Sequence, residues 1–159
     1  MTGYFDAAPR TRSSEEAEPA RALVLGVLGM TPYVDRALEL VAAAERGDPE
    51  VHALVNARDG TVAALALYGP VAGASGAWHL SLLLTAAGID ARAIGVPLIT
   101  TALEEIRASG GRFLLAELPA DPVIGSTLTL LRKTGFRQEA RIPDFYREGV
   151  ALLFLRRDL

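Results

Sequence analysis

The sequence predicts a mixed α/β (α+β) fold on a mostly antiparallel sheet of six to seven strands. Three observations carry that expectation. Residues 31–46 and 91–108 repeat apolar side chains at helical spacing. Six shorter apolar runs read as strands, and the turn Asp59-Gly60 makes a hairpin of the first two. The strand–helix–strand step across residues 77–118 demands a parallel crossover in an otherwise antiparallel order.

Along the chain, residues 1–17 read as a weakly ordered lead, because Pro9, Ser13, Ser14, Glu15 and Glu16 leave it little apolar surface. A short strand around Tyr4 and Phe5 would be the seventh. Residues 20–28 suit a first helix, weakened by Gly26 and Gly29. In the next helix Thr31 is placed to cap and Pro32 to open it. Its stripe is Val34, Ala37, Leu38, Val41 and Ala44, and Gly47 ends it. Runs 51–57, 61–68 and 77–85 form a meander. Residues 91–108 form a helix with Ile94, Leu98, Leu103 and Ile106 on its apolar face, stopped by Ser109-Gly110-Gly111. Strand 113–118, a break at 119–122 and a helix over 123–133 follow, capped by Gly135. Strands 136–141 and 150–156 close the chain, joined by 142–149. Residues 18–159 are expected to form a single domain, which suits a chain of 159 residues.

Composition narrows the function. A net charge of −3 and a pI near 5.4 provide no basic field for nucleic acid. With no cysteine, disulfides, thiolate metal sites and cysteine nucleophiles are excluded. His52 and His79 stand too far apart in sequence for a zinc signature, and no serine sits in a nucleophile-elbow pattern. No apolar run is long enough to span a bilayer and residues 1–12 lack a signal-peptide core, so a cytoplasmic protein without membrane partners is expected.

Leu130-Leu131-Arg132-Lys133-Thr134-Gly135-Phe136, followed by Arg137-Gln138-Glu139, resembles the tyrosine-x-lysine-x-glycine-phenylalanine segment of the GNAT superfamily of acyl-CoA-dependent N-acyltransferases. The closing Asp144-Phe145-Tyr146-Arg147-Glu148-Gly149 and its apolar strand resemble that family's last hairpin, and the likeness runs from about Tyr33 to Leu159. It implies helices on both sheet faces, acetyl-CoA as co-substrate, no metal, and a primary amine as acceptor.

The family's coenzyme motif is arginine or glutamine, two residues, glycine, one residue, then glycine or alanine. Arg92-Ala93-Ile94-Gly95-Val96-Pro97 matches it at Arg92 and Gly95 and departs at Pro97. A helix start offers free amides and a positive dipole end to a diphosphate. Gly95 would leave it room, and Arg92 would add charge. Pro97, expected in the first turn, would remove one donor at a cost of about 1–3 kcal/mol. The link over residues 86–91 is longer than the family's. The resemblance also sets Leu82, Leu83 and Leu84 beside the pantetheine arm and Ser126 against the coenzyme. Core packing and helix capping are the ordinary uses of those residues.

In the family, the proton donor to the leaving thiolate is often a tyrosine four residues before the glycine; here that position is Leu131. Another group substitutes, or the thiolate leaves unaided, or no reaction is catalysed. Tyr146 is the nearest substitute, ahead of Tyr68 and Tyr33. Glu117, a lone carboxylate in an apolar strand, is the candidate base for the acceptor ammonium. His79 and His52 read as structural, and Asp121 and Asp144 as turn residues. Asp144 and Glu148 near the pocket would favour a cationic amine. The leading expectation is an acetyl-CoA-dependent N-acetyltransferase acting on a small-molecule or peptide amine. The alternative is a catalytically silent module that binds acyl-CoA or mediates dimerisation. The apolar run 150–155 makes a homodimer plausible if it lies at or beside a sheet edge.

Overall fold

A computed structural model of the chain describes residues 9–159. The strand expected around Tyr4 and Phe5 lies outside them. Within the stretch read as a lead, β1 (Arg10–Thr11) and a 3-10 turn at Ser14–Glu16 are formed. The elements that follow are α1 (Ala17–Leu28), α2 (Val34–Glu45), β2 (His52–Arg58), β3 (Thr61–Pro70), β4 (Ala77–Thr85) and α3 (Ala91–Ala108). After them come β5 (Phe113–Pro119), a 3-10 turn at Pro122–Ile124, α4 (Gly125–Lys133), β6 (Arg137–Arg147) and β7 (Val150–Asp158).

Among the described residues seven strands make one sheet in the order β1-β2-β3-β4-β5-β7-β6. Only β4 and β5 run parallel. Alternation along the strands divides the core into two layers. Ala64, Ala66 and Tyr68 of β3 pack with Leu98, Ile99, Ala102 and Ile106 of α3 and with Leu130 and Leu131 of α4. Leu65 and Leu67 turn the other way, onto Leu23, Val24 and Leu28 of α1 and Ala37 and Val41 of α2. Helices therefore cover both faces. Burying one such leucine contributes about 1.5–3 kcal/mol. Among the described residues no helix is long and apolar enough to cross a membrane.

Local chemistry accounts for most boundaries. Asp59 and Gly60 both take positive φ (51° and 76°), the backbone of a two-residue hairpin turn. Gly47, at φ 72°, ends α2. Helix α2 begins two residues later than the cap Thr31 suggested. The Thr31 hydroxyl instead donates to the Leu28 carbonyl (2.8 Å) and accepts from the Tyr33 amide (3.3 Å), tying the end of α1 to the turn that opens α2.

Two irregularities prepare the site. Tyr68 pairs with Leu80 while Leu67 pairs with Leu82, so Ser81 is an extra, bulged residue on β4. Strand β6 is longer than expected and takes in residues read as its connection to β7. Its pairing with β7 breaks between Ile142 and Arg147, leaving residues 143–146 out of register. Pro143 supplies no amide there, Asp144 has φ 51°, and the Asp144 carboxylate accepts from the Gly149 amide at 2.7 Å. β6 is an edge strand exposed along its whole length, and β7 is interior.

Candidate active site

Strands β4 and β5 pair only from Ala77 with Phe113 to Leu80 with Ala116. Beyond that point the Ser81 bulge bends β4 away, while β5 continues against β7 through Glu117, Leu118 and Pro119. A cavity of about 460 Å³ opens where the strands part. Its walls come from Tyr33 and α2 (Arg36, Ala37, Leu40), from β4 and β5 (Leu80 to Leu84, Ala116 to Pro119), from α4 (Thr127, Leu131) and from β6 (Tyr146, Arg147). Past Leu80, β4 has no strand on its β5 side, so its backbone can bond a ligand there. The Leu83 carbonyl already accepts from the Thr127 hydroxyl at 3.2 Å. The side chains of Leu83 and Leu84 are buried in the two core layers, and only their backbone is available to a ligand.

Glu117 stands one residue past the last β4–β5 pair, on the α2 side, with its side chain 42% exposed. Its Oε1 lies 3.8 Å from His79 Nε2, a buried nitrogen with no hydrogen-bond partner. Burial pulls the His79 imidazole below its ordinary value; the Glu117 charge opposes this and the Arg36 charge adds to it. The imidazole is therefore neutral at pH 7.

Tyr146 reaches the cavity because residues 143–146 leave the ladder. Its ring meets Tyr33 edge-on, with centroids 5.9 Å apart. Burial first, then the Glu117 charge, then Tyr33, holds its phenol above the usual range. Glu117 and Tyr146, expected to work together, thus line one cavity. Leu131 faces the same space and offers no proton.

The mouth is held by a cluster that sequence reasoning split into a turn aspartate and a minor tyrosine. Asp121 Oδ2 accepts from the Tyr33 hydroxyl (2.8 Å) and from Arg147 (2.7 Å), and Arg147 also donates to the Tyr33 oxygen (3.1 Å). The Val123 amide, then Tyr33 and Arg147, hold the Asp121 carboxyl below its usual range. Tyr68 lies elsewhere, buried on the α3 layer with its hydroxyl bonded to Glu105. The Asp144 carboxylate is spent on the hairpin and lines no part of the cavity.

The start of α3 differs from expectation. Its amides at Arg92 and Ala93 already donate to Asp90 Oδ1, at 3.0 and 3.3 Å. Gly95 is buried against α4, and a Cβ there would meet Leu130 Cδ2 at 2.3 Å. The room it leaves is therefore taken by a core leucine. Pro97 sits in the second turn of α3, not the first. What it forfeits is the intrahelical bond to the Ala93 carbonyl, so no terminal donor is lost. Arg92, Ala93 and Pro97 are exposed, Ile94 is buried and Val96 half-buried. Ser126 is exposed outside the cavity, and its neighbour Thr127 lines it instead.

No protein-family model matches the chain, and no curated protein does. Solved structures do. A GNAT-family protein from Desulfovibrio desulfuricans superposes with a TM-score of 0.80 at 27% identity, over 95% of this chain and 98% of its own. A ribosomal-protein-alanine N-acetyltransferase from Brucella melitensis gives 0.73 at 21%, over 96% and 100%. An aminoglycoside 6'-N-acetyltransferase in complex with coenzyme A gives 0.79 at 13%, over 96% and 97%. With strand order, parted central strands and structural neighbours in agreement, the chain has the architecture of the GNAT superfamily of acyl-CoA-dependent N-acyltransferases.

Proposed function

We propose that this protein transfers an acetyl group from acetyl-CoA to the primary amine of a small molecule. The observation that carries the reading is the cavity between the parted ends of β4 and β5, with Glu117 and Tyr146 on its wall. The pantetheine arm fits the free backbone edge of β4 beyond Leu80. The diphosphate would lie toward the start of α3, with Arg92 beside it, and needs the Asp90 carboxylate to yield the amides it now holds. When bound, acetyl-CoA supplies a thioester already activated toward amines.

The residues of the chain do the rest. Glu117 accepts a proton from the acceptor ammonium, so that the nitrogen lone pair is free to attack. Nitrogen bonds to the acyl carbon, and the carbon–sulfur bond breaks with its electrons on sulfur. Tyr146, kept protonated at neutral pH, gives the departing thiolate its proton and regains one from the amide nitrogen. The apolar walls from Leu28, Ala37 and Leu40 exclude water that would hydrolyse the thioester. The test is release of free thiol from acetyl-CoA in the presence of a panel of amines. Amine-dependent release supports the reading, and its absence across the panel overturns it.

A silent acyl-CoA-binding module is the second reading, favoured by Leu131 on the cavity wall and Asp90 on the helix start. It expects coenzyme A to raise the melting temperature while no amine is consumed.

A further inference from the structure

The charges of the cavity are few and mixed in sign. Among the described residues Glu117 is its sole acidic lining residue, and Arg36 and Arg147 are its basic ones. Arg147 is committed to Asp121 and Tyr33. Arg36 is not held in the same way. Its bond to Glu39, at 3.1 Å, joins two side chains that are 72% and 68% exposed, and such surface pairs exchange readily for a better partner. Glu117 from β5 and Arg36 from α2 both line the cavity, so one carboxylate and one releasable guanidinium face the same space. The remaining wall on that side, Leu28, Ala37 and Leu40, is apolar.

A polycation finds a poor match here, with one carboxylate, Glu117, to receive it and the Arg36 guanidinium to repel it. A plain alkylamine would leave Arg36 without a role. Resting on the acetyl-transfer reading, we propose that the acceptor is an apolar α-amino acid, bound as a zwitterion. Its ammonium sits at Glu117, its carboxylate at Arg36, and its side chain against Leu28, Ala37 and Leu40. Glu117 takes one proton from the α-ammonium. The α-nitrogen then bonds to the acyl carbon as the carbon–sulfur bond breaks. The sulfur keeps the electron pair and takes up a proton as nitrogen releases its second, giving the N-acetyl amino acid and free thiol.

Leucine, its decarboxylated counterpart isopentylamine and the polycation kanamycin separate the possibilities, each assayed with acetyl-CoA on the full chain and on Arg36→Glu. The expected kcat/KM for leucine exceeds that for isopentylamine by about 10- to 100-fold, the worth of one charge-assisted carboxylate contact. In Arg36→Glu the ratio falls to one or below. Equal or better turnover of isopentylamine or kanamycin, or a ratio unchanged in the variant, overturns the proposal. Thermal stabilisation decides the matter even without turnover. Leucine is expected to stabilise the coenzyme-loaded protein where isopentylamine does not, and Arg36→Glu to lose the effect. If leucine gives no such stabilisation, the amino-acid site is wrong; if it stabilises but no thiol is released, acetyl transfer alone is wrong.

Discussion

The opening between β4 and β5 and the start of α3 are the two places where a coenzyme of this superfamily would be gripped, and they are built in opposite ways. In the opening, a bulge at Ser81 separates the strands and leaves backbone and ionisable groups facing a void. At the helix start, Asp90 caps the amides and Leu130 occupies the space beside Gly95. One region is left unsatisfied by its own chain, and the other satisfies itself. A ligand adds contacts in the first and must displace them in the second.

The largest expected effect tests the open region. Glu117→Gln keeps the shape and removes the base, so turnover should fall by about 10²–10⁴-fold with coenzyme affinity unchanged. Undiminished turnover would move the base elsewhere. Next, Gly95→Ala tests whether that glycine serves packing. Overpacking against Leu130 should outweigh the helical preference for alanine and cost about 1–2 kcal/mol in denaturant unfolding. Unchanged stability with weakened coenzyme binding would return Gly95 to the phosphate. Asp90→Asn retains a cap but not the charge, so coenzyme A should bind about three- to tenfold tighter at low salt. No change by calorimetry would put the diphosphate away from α3.

The smallest effect concerns pH. The His79 imidazole is lowered in the folded protein, so above its ordinary value of about 6.5 it is neutral whether folded or not. As pH falls from there toward the folded value, the unfolded chain takes up a proton that the native one refuses, and stability declines. His79→Gln should flatten that part of the stability–pH profile. An identical slope would show that burial of His79 is not what the native state resists titrating.

The contrast also explains what could be read from the sequence. Helix α3 was legible to the residue because its apolar spacing and the Ser109-Gly110-Gly111 stop are local signals. The same holds for the β2–β3 hairpin at Asp59-Gly60. Glu117 and Tyr146 stood out as a carboxylate in an apolar strand and a tyrosine in a closing hairpin, and both line the cavity. What escaped was non-local. Nothing near Gly95 says that Leu130 lies against it, and nothing near Asp121 announces Tyr33 and Arg147, 88 and 26 positions away. That Arg36 lines the cavity depends on where α2 packs. Asp90 was a missed signal in plain view: an aspartate before a helical run is a cap, and here it holds the Arg92 and Ala93 amides.

The break in the outermost strand has a consequence for how molecules of this protein meet one another. A chain adding itself to the rim of the sheet would meet an irregularity at Glu139 and, after Ile142, a ring with no amide and a residue turned back on itself. Growth of the sheet from copy to copy is interrupted halfway along, which guards an otherwise bare margin against fibre-like stacking.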